Sequence, residues 1–395
     1  MYKTIIVPVK CSSGDEIYLL GLNAESAKVW NRCVELDTEY KTKTGRGMRA
    51  SELQSALLGF SSLHRMGVYH VYRKYLFARS AMWRSIKSGK IQGKTAKLPF
   101  KTKHFYNTGW NYQGIKSDYS KGEIKLCKKI LTDDIGGNHR PTPVVCYVKT
   151  IPQNIVEIEL LYRNGLKLAI KYKEPDIEHL IPSGNSAAID LGEIHSIASI
   201  DNLGDAIIIT GRKLRSIKRY RNKECGKICS KMSRCTKGSR QYKKYAKAKW
   251  KLLYKADNQI KDAIHKTTKL YLDYCLEHNI TTVFYGDLDA CTRDTKGHIG
   301  KGVGQKLSQW CFGKIVEQLE NKLCRYGIDL IKVDEAYTTR KCPSCGALNK
   351  PANRNYRCLC GYEQHRDLVG AINLLNQNAG AELSRYANKK YLRIA

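Results

Sequence analysis

Apolar and polar positions alternate from Thr4 to Val9, which predicts a strand; the spacing then turns helical from about Ala24 to Lys90, carrying Val29, Trp30, Val34, Leu53, Leu57, Leu58 and Leu63. Short alternating runs return at Pro143–Val148, Ile155–Leu160 and Leu166–Lys171. The first half therefore reads as a β-barrel or sheet interrupted by a helical insertion. A polar, proline-containing stretch from Glu174 to Gly184 ends these strands and marks a boundary.

Beyond it, Ser186–Gly192 reads as a buried strand that ends in Asp190 and a tight glycine, with Ile194–Ile200 as its hairpin partner and Asn202-Leu203-Gly204 as a turn. Residues 211–255 repeat apolar positions at helical intervals and reverse at Gly238-Ser239, so two amphipathic helices form a hairpin, and a third helical stretch follows through Ile260, Ile264 and Leu270. Ile280–Tyr285 is a strand running into Gly286-Asp287-Leu288-Asp289, Leu307–Tyr326 a helix closed by Gly327, and Ile328–Val333 a strand that delivers Asp334 and Glu335. Between them, Asp294–Gln305 is glycine-rich but lacks the Gly-Lys-Ser/Thr ending of a phosphate-cradling loop, and reads as a lid or a plain flexible loop.

Charge changes the picture. The 395 residues carry a formal net charge of +33, which favours polyanionic partners, most often nucleic acid; a merely basic, ribosomal-type protein is the plainer alternative. Residues 211–255 hold eighteen lysines and arginines against the single acid Glu224, more than solubility requires, and Arg212, Lys213, Lys218, Arg219, Lys243 and Lys244 are candidates for contacts to a nucleic-acid backbone. From Tyr72 to Lys116 aromatic and basic residues interleave, as on surfaces where rings stack on bases and cations follow phosphates, although many of these rings also suit an ordinary core. Fifteen cysteines, an odd number, and the strand-like Met1–Lys10 in place of a secretory leader point to a reducing cytoplasm, and the neighbouring Cys225, Cys229 and Cys235 read as small idle thiols. No run of about 18 apolar residues predicts a membrane span.

Two constellations carry chemistry. Cys342-x2-Cys345 and Cys358-x-Cys360, each followed by glycine, supply four thiolates for a closed, structural Zn2+ site. The second pair is one residue tighter than usual, and His365 is the nearest substitute ligand. Acids stand after three predicted strands, Asp190, Asp287 and Glu335, and at the start of the helix after the cysteines, Asp367. Carboxylates converging in this way suit hard cations, and phosphodiester hydrolysis is helped most by two Mg2+ ions about 4 Å apart.

With Ala188-Ile189-Asp190-Leu191-Gly192, Ile264-His265-Lys266, Gly286-Asp287-Leu288, Ser308-Gln309-Trp310-x-Phe312-Gly313, Thr338-Thr339-x-x-Cys342 and His365-Arg366-Asp367-x-x-Gly370-Ala371-Ile372-Asn373 in this order, the chain resembles TnpB, the transposon-encoded RNA-guided nucleases related to type V CRISPR effectors. The resemblance covers residues 184–376 and implies a mixed α/β and β multidomain chain. Residues 1–180 would form a wedge β-barrel with a helical recognition insertion at about 24–115. Residues 181–380 would form a RuvC-type, ribonuclease H-like nuclease domain containing the basic hairpin 211–255 and a zinc ribbon at 337–366, with 381–395 as a C-terminal tail.

The resemblance also implies an RNA-guided DNA endonuclease with a guide RNA from the transposon end, double-stranded target DNA as substrate, and a prokaryotic, cytoplasmic, nucleoid-associated setting. One departure matters. The family's second acid is usually a glutamate directly before Asp-Leu, and that place is Gly286. Alternation turns Asp287 to the opposite side of its strand, while Glu335, at the end of a neighbouring strand, has a longer arm with which to fill the vacancy. Asp190, Glu335 and Asp367 are therefore the expected Mg2+ ligands, with Asp287 in reserve. A nuclease-dead, RNA-guided DNA-binding repressor and a transposase-associated DNA-binding protein are the alternatives.

Overall fold

The computed structural model describes residues 1–89, 102–129, 142–162, 164–175, 179, 184–287, 311–335, 338–349, 351 and 353–394. The glycine-rich segment 294–305, Trp310 and Tyr337 lie outside them. The chain divides into two compact units, Met1–Asp176 and Ile177–Ala395. No helix among the described residues is long and apolar enough to cross a membrane.

In the first unit, β1 (Tyr2–Pro8) leads into α1 (Ser13–Thr44), α2 (Ala50–Ala56) and α3 (Arg65–Lys87) before the chain returns to strands. The first helix starts well before Ala24, because Ser12 caps it by accepting a hydrogen bond from the Asp15 amide and acids fill its first turn. It ends at Gly45, whose φ of 74° is a left-handed conformation suited to glycine. β2 (Thr108–Asn111), β6 (Ile155–Tyr162) and β7 (Leu166–Lys173) join β1 in a sheet of order β1-β7-β6-β2, and β3 (Ile115–Asp118), β4 (Glu123–Leu126) and β5 (Val144–Tyr147) form a second.

Helices and strands share one core, which includes Leu19, Trp30, Tyr75, Trp110, Ile158 and Leu168. Asp37 sits inside it, accepting hydrogen bonds from the Met48 amide, the Arg79 guanidinium and the Tyr75 hydroxyl.

The second unit is built on a six-stranded sheet of order β12-β11-β8-β9-β10-β15. β8 (Ser186–Asp190), β9 (His195–Asp201) and β10 (Asp205–Thr210) run antiparallel in turn, and β11 (Thr282–Gly286) and β12 (Asp329–Val333) continue parallel to β8. Its central strands β8, β9 and β10 are apolar on both faces because both are covered. Ala187, Ile189, Ile207 and Val283 meet Ile260, Ala263 and Tyr271 of α5 (Arg240–Glu277) and Phe312, Ile315 and Leu319 of α6 (Phe312–Leu323). Ala188, Ala198, Ile200 and Ile208 meet Leu368, Ile372 and Leu375 of α7 (Arg366–Ala379).

The basic hairpin is α4 (Arg212–Ser233) packed on α5; the expected third stretch is simply the second half of α5. Residues read only as a tail form β15 (Asn388–Leu392), a parallel edge strand on β10 that the polar sequence Asn388-Lys389-Lys390 conceals. The hairpin β13 (Asn355–Arg357) and β14 (Glu363–His365) stands directly before α7.

Removing one partner of a buried ion pair strands the other. Asp37→Ala is expected to destabilise the first unit by about 3 kcal/mol, read as a lower urea midpoint, with Asp37→Asn intermediate.

Candidate functional site

β11 pairs with β8 so that Tyr285 stands beside Ile189, which sets Gly286 level with Asp190, and β12 sets Val333 beside Gly286. Side chains alternate along strands, so Ala188 and Asp190, Phe284 and Gly286 share the face covered by α7, where Val333 also lies. Glu335, two residues past Val333, folds over Gly286: a Cβ there would lie 2.6 Å from its Oε2 and 2.8 Å from its Cβ. The glycine leaves the space that the glutamate fills.

Asp367 reaches the same face from the first turn of α7, where His365 caps the helix by accepting the Asp367 amide. The helix passes close over Asp190, since a Cβ on Gly370 would lie 2.7 Å from Asp190 Oδ2. Asp287 points the other way. It pairs with Lys332 at 2.7 Å and lines a cleft of about 220 Å³ with Leu191, Phe312 and Val316, on the side of α6.

The electrostatics of the three acids differ with their surroundings. Burial, then the charges of Asp367 and Glu335, push the Asp190 carboxyl well above the ordinary range. Burial and the charges of Asp287 and Asp334 raise Glu335 to about 7. Burial also pushes Asp367 upward, but the hydrogen bond from His195 and the charge of Arg354 outweigh it and leave its carboxyl below the usual value. His195 Nδ1 and Arg354 Nη1 lie 2.8 and 2.6 Å from Asp367 Oδ2. A sheet end with three partly buried carboxylates has the character of a hard-cation site, and His195 and His365 each bring a ring nitrogen within 4.8 Å of an Asp367 oxygen.

The four cysteines come together with all sulfurs within 4.8 Å of one another; Cys342 and Cys360 are 3.8 Å apart, Cys345 and Cys358 3.5 Å. A tetrahedron of Zn–S bonds has edges of about 3.8 Å, so the cluster is compatible with zinc. Tight turns build it: the Gly346 and Gly361 amides donate to the Cys342 and Cys358 carbonyls, both glycines having positive φ. His365 is not with the sulfurs but beside His195, their rings 4.9 Å apart. The cysteine hairpin is fastened to α7 by Asn373, which donates to the Thr338 and Lys341 carbonyls, and by Val369 packed on Tyr356 and Tyr362.

Of the six candidate cations on the helical hairpin, Arg212, Arg219, Lys243 and Lys244 are exposed and Lys213 and Lys218 half-buried. α4 buries Leu214 alone, and α5 buries nothing before Ala256, so this arm is no core element. It also displays rings: Tyr220 is 63% exposed, and Trp250, 44% exposed, stacks on Tyr254 at 5.3 Å. Such a surface suits a phosphate backbone with neighbouring bases.

Sequence reasoning did not single out His195 or Arg354. A lone imidazole at the start of an apolar strand was the available signal for the first. Nothing in the sequence marks the second, which arrives through the fold of the cysteine hairpin.

Residues 312–374 match the family described as Cas12f1-like, TNB domain, and residues 169–291 the family described as "Probable transposase". A TnpB-like protein of Acidianus two-tailed virus is 26% identical over 223 residues, covering 54% of this chain and 46% of that protein. A TnpB-like protein of Methanocaldococcus jannaschii is 27% identical over 122 residues, 30% of this chain and 43% of its own. The chain thus spans about half the length of the curated relatives it matches. Among solved structures, a Cas12f1 chain in a complex with sgRNA and target DNA superposes with a TM-score of 0.64 at 14% identity, covering 95% of this chain and 98% of that one, which shows a shared fold.

Glu335 yields a prediction about pH. Its folded value of about 7 exceeds the 4.5 of an ordinary glutamate, so between these values the folded chain holds a proton that the unfolded chain releases. Stability of protein prepared without divalent cations should fall as pH rises from about 4.5 to 7. Glu335→Gln removes that loss, stabilising by up to about 3 kcal/mol at pH 8 and little at pH 4 in urea titrations.

Proposed function

The chain belongs to the TnpB family, and from that premise we propose that it is an RNA-guided DNA endonuclease of a transposable element. In this reading residues 181–380 form a RuvC-type nuclease domain with an inserted zinc ribbon, and residues 1–180 a wedge barrel with a recognition insertion. The observation that carries the proposal is the gathering of Asp190, Glu335 and Asp367 on one sheet face, with Glu335 in the room left by Gly286. The three carboxylates fit magnesium, which prefers oxygen ligands, and burial keeps the first two from ionising readily without a cation.

Asp190, Glu335 and Asp367 would hold two Mg2+ ions, which supply an activated water and stabilise the leaving oxygen of the phosphodiester. The residues themselves do the rest. Asp190 is fixed at a strand end under Gly370, Asp367 is oriented by hydrogen bonds to one of its oxygens, and Glu335 spans from β12 with the extra methylene that an aspartate at 287 lacks. The cations of α4 and α5 follow a nucleic-acid backbone. Sequence is read by pairing between a guide RNA from the transposon end and double-stranded target DNA, which the protein grips without reading it base by base. The thiolate cluster, holding zinc, keeps the hairpin closed on α7.

The purified protein with its RNA should cut a matched target only with Mg2+. Glu335→Gln should lower cleavage by about a thousandfold or more while RNA binding persists. Full activity in that variant would remove Glu335 from the site, and a wild-type complex that binds its target but never cuts would instead mark a nuclease-dead repressor. For the hairpin, replacing Arg212, Arg219, Lys243 and Lys244 by glutamine should weaken nucleic-acid binding for all sequences and flatten its salt dependence, by about 0.7–0.9 in log–log slope for each phosphate no longer neutralised.

A further inference from the structure

We infer that His195 is a positioning residue for the Asp367 carboxylate: its Nδ1 holds Oδ2, so that Oδ1 is the oxygen presented to a divalent cation. The inference rests on the endonuclease reading above and adds a group that the carboxylate set does not contain.

The fold goes out of its way to aim this side chain. Along the β9–β10 ladder Ile208 faces Ala198 and Ile209 faces Ile197, but Thr210 faces His195, so Ser196 is an extra residue in β9. Without it, His195 would follow Ile197 onto the face covered by α5 and α6. With it, His195 takes the side of its partner Thr210, the side of Ala206 and Ile208, which is the face of α7. Gly211 makes the bulge possible: a Cβ there would lie 2.6 Å from Ser196 Oγ and 2.7 Å from the Glu193 carbonyl. The Gly211 amide and the Thr210 hydroxyl both donate to the Ile194 carbonyl, locking the turn of backbone before His195.

Once turned, the imidazole is held on several sides. It is buried, its ring edge-on to His365 at 4.9 Å and to Tyr391 of β15 at 5.8 Å. A carboxylate can only accept, so Nδ1 carries the proton in the 2.8 Å bond to Asp367 Oδ2. Arg354 occupies the same oxygen, and among the described residues Oδ1 accepts no hydrogen bond. Two donors on one oxygen stop the carboxylate from rotating and leave the other oxygen free. Outer hydrogen bonds of this kind are worth about 10- to 100-fold in metal affinity when removed.

The test is Mn2+ binding to the full-length chain with its co-purified RNA, titrated by the loss of the free-ion spin-resonance signal, with Asp190→Ala as the control for the site. His195→Leu should weaken the Asp190-dependent binding by about 10- to 100-fold. His195→Asn, whose amide nitrogen stands near the place of Nδ1, should bind close to wild type; His195→Gln, whose amide lies nearer the place of Nε2, should not. Wild-type affinity in the Leu variant overturns the inference and leaves the endonuclease reading intact. If the Leu variant does not fold, equal affinities in the Asn and Gln variants overturn it. If the wild-type protein binds no Mn2+ that Asp190→Ala abolishes, the endonuclease reading falls first and takes this inference with it.

Discussion

Carboxylates set side by side repel one another, and the second unit is organised around holding three of them together. Burial is the main reason that Asp190 and Glu335 resist ionisation; the charges of Asp367 and Glu335 add to it at Asp190, and those of Asp287 and Asp334 at Glu335. Several features oppose the repulsion. The N-terminus of α7 places its partial positive charge at Asp367, Arg354 reaches the same carboxylate from the cysteine hairpin, and Arg366 adds a favourable charge toward Asp190. Two glycines contribute by what they lack, since side chains on Gly286 and Gly370 would occupy the places of Glu335 and of an Asp190 oxygen.

A single helix links the parts. α7 covers one face of the sheet with Leu368, Ile372 and Leu375, carries Asp367 in its first turn, and holds the cysteine hairpin through Val369 and Asn373. The hairpin in return supplies Arg354 to Asp367 and places His365 at the helix N-cap. Closure of the four sulfurs and orientation of the carboxylate are therefore properties of one small rigid assembly.

Much of this was legible in the sequence, and the rest was hidden for identifiable reasons. The strand ending in Asp190 could be read because a run of small and branched residues terminates in an acid and a glycine, and the period of two was enough to turn Asp287 away from Asp190. The fold of Glu335 over Gly286 rested on strand register, which a local pattern suggests but does not fix. His195 was out of reach because the alternation that serves well elsewhere gives the wrong face wherever a bulge intervenes, and Ser196 carries no mark of one. α1 begins at Ser13 because capping, a matter of one hydroxyl and two acids, outweighs a weak apolar periodicity. β15 opens with a polar stretch because it is an edge strand docked through its backbone hydrogen bonds, with Tyr391 set against His195 and Leu392 against the core only at its end.

The packing of Glu335 against Gly286 also bears on how such a chain can change over generations. Any side chain at 286 must claim volume that Glu335 occupies, and shortening Glu335 first leaves the sheet end one acid short. The two positions are thus coupled: what position 286 can hold depends on what stands at 335. A side chain placed at 286 would have to be accommodated by a change at 335, so the pair is expected to tolerate substitution only together.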